Sequence, residues 1–159
     1  MTDHTTITDT ITRLFRHADH HDWAELRTVF AEDVVLDYTS LQGGEPATVP
    51  ADGVIGGWRA AFEAIDAHQH LVANHLVTVD DGGAAATATA AFQATHQWQE
   101  ETWTLGGDYR FELTRTDDGR WVIGAMTMTA VWQTGPADLM ARAAASAAAT
   151  KTPGPGETA

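Results

Sequence analysis

Four long stretches in the second half of the chain alternate between apolar and polar residues, and they constrain the fold more than any other feature. They lie near 68–79, 84–98, 102–115 and 120–133. Alternation with a period of two is what a pleated strand produces. Asp81-Gly82 separates the first stretch from the second, and Asp118-Gly119 the third from the fourth. Asp-Gly pairs suit tight hairpins, whose central residues need positive φ. The expected product is an antiparallel meander. The run Ala84–Ala91 has a helix-like composition, but its interleaved threonines and the Phe92-Gln93-Ala94-Thr95 that follows place it in a strand.

The first half reads as helical. Ile7, Ile11, Leu14, Phe15 and Ala18 recur at helical spacing, which predicts an amphipathic helix ending at residue 19 or 20. Asp22 reads as an N-cap with Glu25 as its capping-box partner, opening a short helix that buries Trp23, Leu26, Val29 and Phe30. Asp33–Thr39 alternates as a strand with Val34, Leu36 and Tyr38 on one face. A loop over 42–50 leads to a third helix over 51–65, weakened by Gly56-Gly57 at about 1 kcal/mol per glycine. The pattern is helical again from Pro136 to about Ala149, and 150–159 reads as a disordered Pro/Gly tail. This order predicts an α+β domain over 1–149. A curved antiparallel sheet would be covered by the N-terminal helices, forming a cone with an internal pocket.

Composition narrows the function. The chain has 159 residues, a formal charge of -13 and no cysteine. The charge, with no basic run, argues against nucleic acid and anionic membranes as partners. Thiol catalysis and cysteine-ligated zinc are excluded. Nothing at the start resembles a signal peptide, and no apolar stretch has membrane-spanning length, so a cytoplasmic protein is expected. His17 and His21 form an i, i+4 pair at a helix end but lack a third ligand by spacing, and no Gly-rich phosphate loop exists. No metal and no organic cofactor is expected.

The polar residues on the strands carry the functional signal. Periodicity places His68, His70 and Asn74 on one face of the first long strand, and His96 with Phe92, Ala94 and Trp98 on one face of the second. Asp108 and Arg110 point together on the third, opposite Tyr109 and Phe111; Met126, Met128 and Trp132 share a face of the fourth. His70, Asn74, His96, Asp108 and Arg110 on one buried face would have to be paired, or each would cost several kcal/mol.

Ala18-Asp19-His20-His21-Asp22-Trp23, with Leu26, Phe30 and Val35-Leu36-Asp37-Tyr38, resembles the opening of scytalone dehydratase and its SnoaL-like relatives. Gln69-His70-Leu71 with Asn74 is similar to their strand histidine, and Thr95-His96-Gln97 to the second histidine of scytalone dehydratase. The resemblance runs from about residue 7 to 134. It implies the nuclear-transport-factor-2-like cone fold, which hosts dehydratases, isomerases, cyclases, dehydrochlorinases and binders. It implies that Asp19 orients a catalytic histidine, that His70 is the base, as in lindane dehydrochlorinase, and that His96 is a second catalytic histidine. Tyr38 matches a tyrosine that polarises the substrate carbonyl. The chain departs at Ala18, where a tyrosine is usual, and at Asp108 and Arg110, which replace serine and asparagine.

The resulting expectation is a cofactor-independent dehydratase acting on a small cyclic or polyketide-like carbonyl compound. Asp19, His70 and His96 would be catalytic, the last protonating a departing hydroxyl. Tyr38, Asn74, Asp108, Arg110, Met128 and Trp132 would contact substrate. The alternatives are an isomerase or cyclase, or a small-molecule binding or dimerisation module. The outer sheet face is expected to pack against further copies in a homodimer or homotrimer.

Overall fold

The computed structural model describes residues 2–151. It orders the chain as α1 (Asp3–His20), α2 (Trp23–Arg27), β1 (Phe30–Asp37), α3 (Thr39–Gln42), β2 (Ala47–Pro50), α4 (Ala51–Phe62), β3 (Ala67–Val79), β4 (Ala85–Trp98), β5 (Glu101–Arg115), β6 (Trp121–Thr134) and α5 (Leu139–Lys151). The strands form one curved, unclosed sheet in the order β2-β1-β6-β5-β4-β3, antiparallel throughout except that β1 runs parallel to β6. This is the expected α+β cone, with the four-strand meander as its body.

The apolar stripe of α1 sets its packing. Ile7, Ile11, Leu14, Phe15 and Ala18 are all buried, and α1 lies against β3. Each large side chain so buried contributes about 1.5–3 kcal/mol. They meet Phe111, Leu113, Ile123 and Met126 from the sheet. The helix begins at Thr2, whose hydroxyl accepts from the Thr5 N–H, and ends in a Schellman closure: His21 N–H donates to the Ala18 carbonyl and Asp22 N–H to that of His17. His21 takes the left-handed conformation there, φ 59°.

Several sequence expectations are corrected. The Asp22–Glu25 capping box does not form; the Asp22 side chain makes no cap bond and its carboxylate lies 3.6 Å from His17 Nδ1. The 42–50 loop contains β2, which pairs with β1, and Tyr38 precedes the short α3 rather than closing β1. The third helix stops at Phe62, three residues early. Helix α5 continues to Lys151; the remainder of the expected tail lies outside the described residues.

Two bulges and one face assignment change the predicted lining. β3 slips by one residue between Ala73 and Leu76, and Asn74 occupies the bulge at φ 57°, exposed to solvent. Asparagine tolerates that conformation better than most residues. β6 slips between Ala130 and Trp132, so Trp132 pairs with Gly106 on the outer face instead of following Met128 inward. A Cβ on Gly106 would sit 2.4 Å from the Trp132 ring, so only glycine lets the indole lie across the strand there. Asp108 pairs with Ala91 and Thr129, and Arg110 with Thr89 and Thr127, all on the outer face; both are exposed, and Arg110 bonds Glu112 at 3.3 Å. Asn74, Asp108, Arg110 and Trp132 therefore do not line the interior.

Candidate active site

Asp19 is the next-to-last residue of α1, and the Schellman closure fixes its direction towards the start of β3. Its Oδ2 accepts the backbone N–H of His70 at 2.9 Å, and its Oδ1 lies 2.7 Å from His70 Nδ1. A carboxylate only accepts, so His70 Nδ1 carries the proton, and in the neutral ring Nε2 is the nitrogen with the free lone pair. Both partners are sheltered, with side-chain exposures of 13% for Asp19 and 9% for His70. Burial alone would raise the Asp19 pKa, but the imidazoles of His68 and His70 beside it and the backbone N–H of His70 outweigh it and hold the carboxyl well below the usual carboxylate range.

A second imidazole shares this carboxylate. His68 is only 3% exposed, and its Nδ1 lies 3.2 Å from the same Asp19 oxygen, off the hydrogen-bonding direction. Its Nε2 meets His21 Nε2 at 3.0 Å, and Phe62 stacks on the ring at 4.0 Å. Asp19, His68 and His70 thus offer three ligand atoms within 4.8 Å of one another. Sequence periodicity put His68 on the right face, but nothing in the sequence showed that Asp19 would reach two histidines.

His96 pairs across β3 and β5 with His68 and Trp103, and Trp103 stacks on it at 5.0 Å. It stands edge-on to His70 with ring centres 6.0 Å apart. Burial, then the neighbouring His70 imidazole, pulls its pKa down to about 4, and its Nδ1 has no protein partner. His96 is neutral at pH 7.

That burial has a measurable consequence. A histidine whose folded pKa lies below its unfolded value of about 6.5 binds fewer protons when folded, so stability falls as pH drops from about 6.5 to about 4. The loss from this group amounts to roughly 3 kcal/mol at its limit. His96→Phe is expected to flatten the acid limb of a stability–pH curve in that window; an unchanged slope would remove the buried neutral state.

Tyr38 and Tyr109 supply phenols. Tyr109, on the inner face of β5, packs on Phe15 and Phe92 at 5.1 and 4.3 Å. Burial raises its pKa, with the Asp19 charge adding to the effect. Burial likewise pushes the Tyr38 phenol up, with a contribution from Tyr109. Both are therefore hydrogen-bond donors at neutral pH. Tyr109 was missed as a site residue because the expected polar face was the one bearing Asp108. Met128 is buried beside Tyr109 on the inner face, as expected. Three surface clefts lie away from the acid–base groups; one of about 260 Å³ is lined by residues including Thr6, Arg13, Arg120 and Trp121.

An α+β cone with a buried Asp–His pair defines the class, and sequence comparison supplies the family: residues 1–127 match the SnoaL-like domain, and the chain belongs to that family. The chain is similar to the Kfla4162 protein of Kribbella flavida, at 30% identity over 87% of this chain and 97% of that one, TM-score 0.81. A protein of Novosphingobium aromaticivorans provisionally named an aromatic ring hydroxylase is 27% identical over 87% and 96% of the two chains, TM-score 0.74. A provisionally named scytalone dehydratase from the same species shares the fold at 18% identity, covering 84% and 87%, TM-score 0.73. No curated protein matches. No helix among the described residues is long and apolar enough to cross a membrane.

Proposed function

We propose that the protein is a cofactor-independent lyase that removes water from a small cyclic β-hydroxy carbonyl compound, with His70 as the base. The observation that carries this reading is the 2.7 Å bond from His70 Nδ1–H to a carboxylate held ionised in a sheltered site. It leaves Nε2 as a neutral base suited to a proton α to a carbonyl. Nε2 takes that proton and the C–H electrons pass into the carbonyl to give an enolate. Asp19 stays ionised and stabilises the imidazolium. The phenol of Tyr38 or Tyr109 donates to the enolate oxygen. The enolate then collapses to the enone, the β-hydroxyl leaves with its bonding pair, and His70 Nε2–H returns the proton to it as water.

His96 has a different part from the one its sequence position suggested. Held neutral, it acts as a hydrogen-bond donor towards the leaving oxygen, not as an imidazolium acid. One base that both takes and returns the proton also favours a second reading, isomerisation, in which the enolate is reprotonated at a different carbon. The provisional names of the two Novosphingobium relatives suit small cyclic or aromatic substrates.

The test is a panel of cyclic β-hydroxy ketones, followed by the ultraviolet band of the conjugated enone, with His70→Ala as the blank. Exhaustive chelation is expected not to lower the rate, since no step uses a metal. Enone formation equal in wild type and blank would overturn the proposal.

We also infer that further copies of the chain cover the outer sheet face. Leu71, Leu76 and Trp132 share that face at 59%, 74% and 46% exposure, with Val131 at 67% in the adjoining bulge. That is more apolar surface than a sheet usually leaves to water. Sedimentation is expected to give a dimer or trimer, and Leu76→Asp with Trp132→Ser a monomer; a monomeric wild type would end this inference.

A further inference from the structure

We propose that Asp19, His68 and His70 also form a binding site for a divalent transition-metal ion, Zn²⁺ or Co²⁺, in competition with the proton on His70 Nδ1. Three features carry it, and none depends on the reaction proposed above.

The first is the donor set. Two imidazole nitrogens and one carboxylate oxygen converge from the end of α1 and the start of β3, all within 4.8 Å. Asp19 Oδ1 lies 2.7 Å from His70 Nδ1 and 3.2 Å from His68 Nδ1. Ligands at about 2.0–2.1 Å around a tetrahedral ion stand ~3.3 Å apart, so the two oxygen–nitrogen pairs need only small outward shifts, and the two nitrogens lie no more than 4.8 Å apart. Two imidazoles and one carboxylate leave coordination positions for water or a small ligand.

The second is the orphaned nitrogen. His68 is 3% exposed, and its Nδ1 has no hydrogen-bond partner although a carboxylate oxygen lies 3.2 Å away. A buried nitrogen in that state calls for a positive species between it and the carboxylate. A metal ion supplies one and satisfies both atoms at once.

The third is the support behind the ligands. His68 Nε2 lies 3.0 Å from His21 Nε2, and in the tautomer with its proton on Nε2, His68 donates outward to His21 and turns its Nδ1 lone pair to the cluster. That is the arrangement ligating histidines commonly show. Phe62, stacked at 4.0 Å, fixes the ring plane, and the backbone N–H of His70 holds the far Asp19 oxygen at 2.9 Å.

Binding exchanges the His70 Nδ1 proton for the ion: the N–H bond breaks, the proton goes to solvent, and the lone pair coordinates the metal. The loaded form then lacks the Asp19–His70 hydrogen bond, so metal and base are alternative states of one site.

The experiment titrates the metal-free full chain with Co²⁺, read by the visible d–d absorption of a low-coordinate site, and then displaces it with Zn²⁺. One Co²⁺ per chain is expected. His68→Ala should weaken binding at least 100-fold, and His21→Gly, which keeps the left-handed turn and removes the outer support, 10–100-fold. His96→Ala and His17→Ala should bind as wild type does. His68→Gln, with circular dichroism as the fold control, stands in if the alanine variant does not fold. Binding that survives His68→Ala or His68→Gln in a folded protein, or no stoichiometric absorption in wild type, overturns the site. Both results leave the base reading untouched, because His68→Ala preserves the Asp19–His70 pair.

Discussion

Replacing His70 with alanine is expected to lower turnover by roughly 10²–10⁴-fold while leaving the fold intact, because that is what a positioned general base contributes. His70 is held by two contacts to Asp19, one through its ring and one through its backbone N–H. The backbone contact survives the substitution, so β3 and the end of α1 stay joined. The ring is flanked by Phe15 and Phe62 at 5.3 and 5.7 Å, and its loss leaves a space open to water beside a carboxylate. The substitution is therefore expected to alter kcat far more than stability. Multiple-turnover kinetics with circular dichroism as the control separates the two. A folded, fully active His70→Ala protein would reduce the Asp–His pair to a structural contact and leave the binding-module reading in its place.

The sequence carried the fold further than the site. Strand boundaries for the meander came out within a residue or so, because Asp81-Gly82 and Asp118-Gly119 punctuate stretches of period two. The buried stripe of α1 was legible for the same reason, since its five apolar residues can share only one helical face. Side-chain faces failed at irregularities that period counting cannot see. Asn74 sits in a bulge, and the slip after Ala130 carries Trp132 outward. Asp108 and Arg110 failed for another reason: the strand faces were read correctly within β5, but the wrong one was joined to the face of His70. Register pairs His70 with Ala94 and then Leu105, which has the parity of Tyr109. The Asp19–His70 contact spans 51 residues; resemblance supplied Asp19 as the acid that orients a histidine but left open whether that histidine is His70 or His96. His68 as a second partner of Asp19, and the depressed pKa of His96, depend on burial, which only the assembled core determines.

Asp19→Asn is expected to cost a factor comparable to loss of the base, roughly 10²–10⁴, through the tautomer and not through packing. Asp19 accepts on both oxygens, from the His70 ring and from the His70 backbone. An asparagine has one accepting oxygen and one donating nitrogen. If its oxygen keeps the backbone N–H, its NH₂ faces His70 Nδ1 and favours the tautomer with the proton on Nε2, which removes the base. If its oxygen keeps the ring, its NH₂ meets the backbone N–H donor to donor. In either orientation the imidazolium loses its counter-charge. The variant should also lose stability at neutral pH. A carboxyl whose folded pKa is depressed contributes stability above its unfolded pKa of about 3.8, and this is lost as pH falls through the folded value. Wild type and Asp19→Asn should therefore converge in stability at low pH and differ most at neutral pH. Combined with His70→Ala, the kinetic losses should not add, because with the imidazole gone the carboxylate has no base to orient. A double mutant slower than His70→Ala by the full single-mutant factor of Asp19→Asn would mean that Asp19 acts on the substrate directly, and the pair would no longer be one unit.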